Sequence, residues 1–227
     1  MMTQFQASLF DTSDGYLVRE IPSRDAYDLL LNVHYAKRIP SISYAYGLFD
    51  ENRFAGVITY GTPSSSTLRA GVCGPQFSKS VLELNRLCLT ENRPNEASML
   101  VGLSLKKLPH FKVVVSYADT KQSHLGVVYQ ATNFLYTGLS AKRTDWVVEG
   151  MEHLHGQTIS DMTRGMENRA EAMREMFGDR LRLEPRSRKH RYITFTGTKG
   201  QKKLLRSNLL YPVLPYPKIE HINEREA

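Results

Sequence analysis

Cysteine is nearly absent. Cys73 and Cys88 are the two in the chain, too few for a disulfide framework and without the close spacing of a metal pair. That usage fits a reducing cytosol. Long apolar runs are missing too, and none approaches the ~20 residues of a membrane span. The first residues, MMTQFQASLFDTSDGYLV, hold no basic segment followed by an apolar block, so no secretory leader is expected. No strand–GxxxxGK[ST]–helix phosphate loop occurs. The stretch TENRPNEAS, between a predicted strand and a predicted helix, contains no glycine. Pyrophosphate cradles need glycines so that backbone N–H groups can come close to the oxygens. Glu152, His153 and His155 lie in EHLH, which has neither the zinc-protease spacing nor a helix to carry it; a surface or turn role fits it better.

What remains is a globular balance, 41% hydrophobic and 23% charged, in a length that suits one domain or a core plus an appendage. The charge is unevenly placed. The chain carries +7, yet residues 180–206 hold ten Lys or Arg against the single acid Glu184, a net of +9. Such a block is the footprint of a polyanion, most often nucleic acid. Arg186, Arg188, Lys189, Arg191, Lys199, Lys202 and Lys203 are its candidate contacts, and a solvated basic tail is the plain alternative.

The apolar pattern predicts a strand at 16–21, a helix at 25–35 capped by Ser23, and a hairpin from 43–49 and 53–61 turning at 50–52. A Ser/Thr/Gly loop at 62–74, a strand at 81–90 and a helix at 96–108 follow. Next come a central strand ending at Asp119, a short helix at 124–131 and a strand at 133–138. Beyond a polar connection at 138–148 the expectation is a charged helix at 160–177, a strand at 192–196, a basic turn at 197–203 and an extended proline-containing tail. This is a mixed α/β sheet with flanking helices: a core over residues 1–148, with a helical, basic region over 149–227 packed on it.

Val113, Val114 and Val115 read as a strand buried on both faces, which opens into Ser116, Tyr117, Ala118 and Asp119. Ligands bind at the carboxyl ends of strands in open α/β sheets, so Asp119 is the first candidate for chemistry, with Ser116 and Tyr117 beside it. Arg86 interrupts an apolar strand. A buried Arg costs several kcal/mol unless paired, so a partner such as Asp119, Glu83 or a ligand phosphate is expected. Ser64 and Ser65 sit among five hydroxyls around Pro63, either a flexible loop or a rim over substrate. With no glycine at 90–98, a nucleotide-type donor there would rely on Arg93 and Ser98.

The segments HYAKRIP, YGTPSSSTLRAGVCG, LELNRLCL, VVSYADTKQSHLGVVYQATNFLYTG, LSAKRTDW and YPVLPYPK resemble, in order, the Mom family of phage DNA-modification proteins, from His34 to Lys218. The resemblance implies a GNAT-like acyltransferase fold. It implies an activity that places a carbamoylmethyl group on N6 of adenine in DNA and so blocks host restriction. It also implies a phage-encoded protein in the host cytoplasm. From the missing apolar runs no membrane partner is expected, and the chain is expected as a monomer or homodimer. His34, Tyr35, Arg86, Asp119 and Tyr129 match the family's site, and Ser104 matches a site serine. The missing glycine loop departs from the wider GNAT pattern and leaves the donor open between glycyl-tRNA and acetyl-CoA.

Carbamoylmethyl on N6 is an isomer of glycyl on N6, so transfer from an ester such as glycyl-tRNA followed by rearrangement reaches the same product. The target adenine is expected to flip out of duplex DNA and to stack on Tyr35, Tyr117 or Tyr129. Asp119, or His34 with it, is the expected general base, tuned toward neutral pH by burial. Arg86 would hold donor phosphate or oxyanion charge. An iron held by His34, Tyr35, Asp119 and Tyr129 is a competing reading. A non-catalytic nucleic-acid-binding phage protein and a CoA-dependent N-acetyltransferase are the alternatives from other classes.

Overall fold

The computed structural model describes residues 15–51, 53–154 and 156–218. Asn52 of the hairpin turn, His155 of EHLH, the first residues read for a leader and the end of the tail lie outside them. Seven strands form the main sheet in the order β1 (Tyr16–Glu20), β2 (Tyr44–Asp50), β3 (Arg53–Gly61), β4 (Val81–Leu89), β5 (Val113–Asp119), β9 (Lys189–Phe195) and β6 (Leu135–Leu139). All neighbours are antiparallel except β4 and β5, which run parallel. The expected mixed sheet with flanking helices is what forms. β9 comes from beyond residue 148, yet it is an inner strand of this sheet.

Helices α2 (Glu96–Lys107) and α3 (Val127–Ala131) cover one face, packing Leu100, Val101 and Tyr129 against Leu82, Leu84, Val114 and Tyr192. α1 (Ser66–Cys73) and α6 (Lys199–Ser207) cover the other, setting Val72, Cys73 and Leu205 against Val81, Val113, Val115 and Ile193. β5 is therefore buried from both sides, which is why its sequence is a continuous apolar run rather than an alternation. Among the described residues no helix is long and apolar enough to cross a membrane.

Several elements differ from expectation. The 62–74 loop contains α1, started by Ser65, whose hydroxyl accepts the Leu68 N–H (3.1 Å). The 25–35 helix is instead a 3-10 turn (Ser23–Ala26) and a wide π turn (Leu29–Val33), and Ser23 makes no side-chain cap. The helix expected over 124–131 is confined to α3. The connection at 138–148 contains β7 (Arg143–Val148), paired with β8 (Leu181–Arg186) in a second sheet. The charged helix at 160–177 is two helices, α4 (Gly156–Asp161) and α5 (Arg169–Phe177); between them Gly165 adopts φ 88 and Asn168 caps α5. These four elements bury a small core of Val148, Ile159, Met173 and Phe177. The basic turn at 197–203 is mostly α6, begun by a capping box between Thr198 and Gln201.

Candidate active site

β4 and β5 pair only from Val81–Leu84 against Val113–Ser116, although β4 continues to Leu89 and β5 to Asp119. A bulge accompanies the divergence. Thr59 faces Arg86 and Tyr60 faces Leu84, so Asn85 is the extra residue. Its amide holds the Ser41 carbonyl (2.8 Å) and the Thr59 hydroxyl (2.6 Å). The parted strands leave a cleft of about 740 Å³ whose walls include His34, Tyr35, Arg86, Tyr117, Asp119 and Tyr129. Five of the six residues matched to the site by resemblance meet here, with Tyr117 from the strand tip; Ser104 does not.

The π turn delivers His34. Its N–H reaches back to the Leu29 carbonyl (2.9 Å), and the chain then leaves the helix with His34 extended at ψ 133. The imidazole and the Tyr35 ring stack with centroids 4.5 Å apart. Burial and the Arg86 charge bring the His34 pKa down to about 4, so the ring is neutral at physiological pH. Its Nδ1 accepts the Ala36 N–H (3.1 Å), which leaves the proton on Nε2. In this tautomer His34 can donate from Nε2, whereas the expectation had it act as base with Asp119.

Asp119 is also tuned the other way from expectation. Burial acts to raise its pKa, but the Ser187 hydroxyl, the Lys189 charge and the Lys121 N–H outweigh it, and the carboxyl is held below its usual range. Oδ1 accepts from Ser187 (2.7 Å) and Lys121 N–H (3.0 Å), while Oδ2 faces Lys189 Nζ (3.2 Å). Asp119 is a fixed carboxylate with acceptor capacity left on Oδ2. Burial raises the phenols of Tyr35 and Tyr129, the latter to about 12, so both keep their protons and can donate.

Arg86 makes no ion pair with Asp119 or Glu83, the two carboxylates expected as partners; the expected ligand phosphate stands as the alternative. Its guanidinium donates to the carbonyls of Asn85 (2.6 Å) and Arg38 (3.3 Å), and its buried Nε has no partner. Glu83 and Tyr35 favour its charge, but burial dominates and lowers its pKa. Arg38 in turn grips Asp161 of α4 at 2.8 Å, tying the loop after His34 and Tyr35 to the small second unit.

With this geometry in place, comparison with known proteins is decisive. The family model described as the Mom protein family matches residues 15–218. The chain belongs to the Mom protein family. The methylcarbamoylase Mom of Escherichia phage Mu is 29% identical over 206 residues, covering 85% of this chain and 80% of that protein. Among solved structures, a GNAT-family acetyltransferase from Bacillus cereus is 12% identical with a TM-score of 0.42, covering 81% of this chain and 99% of its own. A Bacillus subtilis acetyltransferase solved with CoA is 11% identical with a TM-score of 0.37, covering 81% and 98%.

Ser104, matched by resemblance, and the serine and Arg93 candidates read from the sequence do not line the cleft. Ser104 is fully buried in α2, bonded to the Tyr60 hydroxyl (2.7 Å). Ser116 donates to the Leu84 carbonyl (3.1 Å) inside the sheet and supports Tyr129 from within. Ser65 is spent capping α1, and Ser64 is exposed away from the cleft walls. Arg93 is drawn into ion pairs with Asp50 (3.0 Å) and Glu91 (2.8 Å). Its N–H is taken by Glu96 Oε2 (2.9 Å), a carboxylate that also pairs with Arg53 at 2.6 Å. Ser98 is bonded to the Asn95 carbonyl (3.0 Å).

The basic residues divide. Lys189 serves Asp119, Arg186 pairs with Asp145 (3.5 Å) and Arg188 donates to the Ser140 carbonyl (2.7 Å). Arg191 binds Thr137 (2.9 Å) and lies over the Tyr211 ring. Ser187 and the Arg38–Asp161 pair were not visible in the sequence: both act across long separations and carry no local signal.

The described geometry does not favour the competing iron: Asp119 Oδ1 already bonds two donors, Oδ2 faces the Lys189 ammonium, and His34 Nδ1 accepts the Ala36 N–H. Among the described residues no three His, Cys, Asp or Glu side chains cluster.

Proposed function

We propose that the protein transfers an acyl group, of the glycyl class, to N6 of adenine in phage DNA, which rearranges to the carbamoylmethyl product. The observation that carries this reading is the convergence of His34, Tyr35, Arg86, Asp119 and Tyr129 on the wedge between β4 and β5 in a chain of the Mom family. The name of the phage Mu relative supports it.

N6 attacks the ester carbonyl of the donor, forming the N–C bond. The C–O bond to the carrier breaks, and the N6 proton passes by way of solvent to the departing alkoxide. The glycyl amine then adds to C6. The bond from C6 to the original N6 breaks, so that nitrogen becomes the terminal amide and the glycine nitrogen stays on the ring. No atom is gained or lost in this second step. Asp119 Oδ2 accepts a hydrogen bond from the exocyclic amine. His34 Nε2–H and Arg86 donate to the oxyanion, where a single such donor is worth roughly 100-fold in rate. The stacked Tyr35 offers a platform for the flipped base.

The turn between β4 and α2 supports a donor other than CoA. It has no glycine, its Arg93 side chain is engaged, and the Glu96 carboxylate already occupies the Arg93 N–H. A pyrophosphate there would meet negative charge instead of free N–H groups.

Mass spectrometry of nucleosides from DNA of cells expressing the protein tests the reading. A new adenine adduct supports it. Unmodified DNA together with intact DNA binding would favour the non-catalytic binder, and adduct formation by purified protein with acetyl-CoA and no tRNA would remove the glycyl donor.

A further inference from the structure

The basic block is one run in sequence but two clusters in space. β9 is antiparallel to β5, with Lys189 opposite Asp119 at one end and Phe195 opposite Val113 at the other. Seven residues of strand at ~3.3 Å each separate these ends by roughly 20 Å. The cluster near Asp119 is spent on internal contacts, as described. The cluster on α6 is not. Lys199, Lys202, Lys203 and Arg206, with Lys106 of α2, line a second groove of about 1220 Å³ in which no Asp or Glu takes part. None of these five cations has an ion pair or side-chain hydrogen bond among the described residues. Their positions on α6 recur at helical spacing, so they share a face. The helix is held rigid by its capping box and by buried Leu205.

Groove and cleft are neighbours across one wall. Ala97 of α2 and Val128 of α3 line the cleft, while Ser98 of α2 and Ala131 of α3 line the groove. Unpaired cations on a rigid element form a positive patch that a phosphate backbone can neutralise with release of counterions, and phosphate contacts of this kind set position rather than sequence.

We propose that this groove seats the phosphate backbone of the substrate duplex DNA about six base pairs from the adenine in the cleft, at ~3.4 Å per step. The proposal rests on DNA being the substrate. The groove, not the Arg186–Arg191 segment, is then the main non-specific anchor.

The test uses the full chain with Lys199, Lys202, Lys203 and Arg206 all changed to Gln, its fold checked by thermal melting. Binding to a duplex with a central target adenine is measured across salt concentrations, beside an RNA hairpin of equal length. The expected result is a salt slope shallower by roughly three to four. A duplex truncated to three pairs on the groove side should bind wild type as weakly as the full duplex binds the variant, and truncation should cost the variant nothing. An unchanged slope on DNA overturns the proposal. So does a loss confined to the RNA hairpin, which would assign the groove to the donor. Because binding is read without turnover, wild-type adduct formation with an unchanged slope sinks only the groove, whereas loss of slope without any adduct sinks only the proposed reaction.

Discussion

Oδ2 of Asp119 lies 3.2 Å from Nζ of Lys189, across the antiparallel pair that brings the end of β5 to the start of β9. A carboxylate lining the cleft is thus held ionised against burial by the Ser187 hydroxyl and by Lys189, a residue from 70 positions later in the chain, with the Lys121 N–H adding to the effect.

A consequence follows for pH. The folded-state pKa of Asp119 is depressed, so its contribution to stability is present above the ordinary carboxylate range and disappears as pH falls through the lowered value. Lys189→Gln removes the ammonium and brings the pKa back up. The acidic limb of a kcat profile should therefore move to higher pH in the variant. An unmoved limb would separate Asp119 ionisation from turnover.

His34 should leave no inflection near its ordinary pKa of 6.5, because the folded ring titrates only at about 4. As a donor through Nε2, it should be replaced in part by Gln, whose amide N–H₂ also donates. His34→Ala is expected to lose about 100-fold in kcat, with Gln between the two. Equal losses in Ala and Gln variants, or a wild-type limb near 6.5, would return His34 to the role of base.

Asp161 stands outside the cleft, yet it holds Arg38, whose carbonyl accepts from Arg86. The ion pair is partly exposed, so Asp161→Asn should cost roughly 1 kcal/mol or less in stability. If the pair positions the loop carrying His34 and Tyr35, kcat should fall several-fold while the melting temperature barely moves. A matching fall in both would mean a structural role alone.

The sequence made β2 to β5 and α2 legible because their apolar periods are clean. β5 in particular announces burial on both faces through Val113, Val114 and Val115. α1 was hidden by its Ser/Thr/Gly composition; its stability comes from packing Val72 and Cys73 on the sheet, and Ser65 was the one readable signal. α6 was masked by Gly200 and its lysines, although Thr198 and Gln201 spell a capping box. At the site, Asp119 followed from the strand tip and Arg86 from its oddness in an apolar strand. His34, Tyr35 and Tyr129 joined them through the family resemblance alone, since a π turn and a parted strand pair bring them together. The direction of the Asp119 shift depends on Ser187 and Lys189, and that of the His34 shift on burial and Arg86, partners distant in sequence that local pattern does not name.

The most direct test is reconstitution with purified protein, duplex DNA and tRNA charged with heavy-nitrogen glycine, followed by mass spectrometry of the released nucleosides. The account predicts a carbamoylmethyl adenine whose heavy nitrogen is bonded to C6, formed by wild type and lost in Asp119→Ala. Heavy nitrogen in the terminal amide, or the same yield from Asp119→Ala, would contradict it.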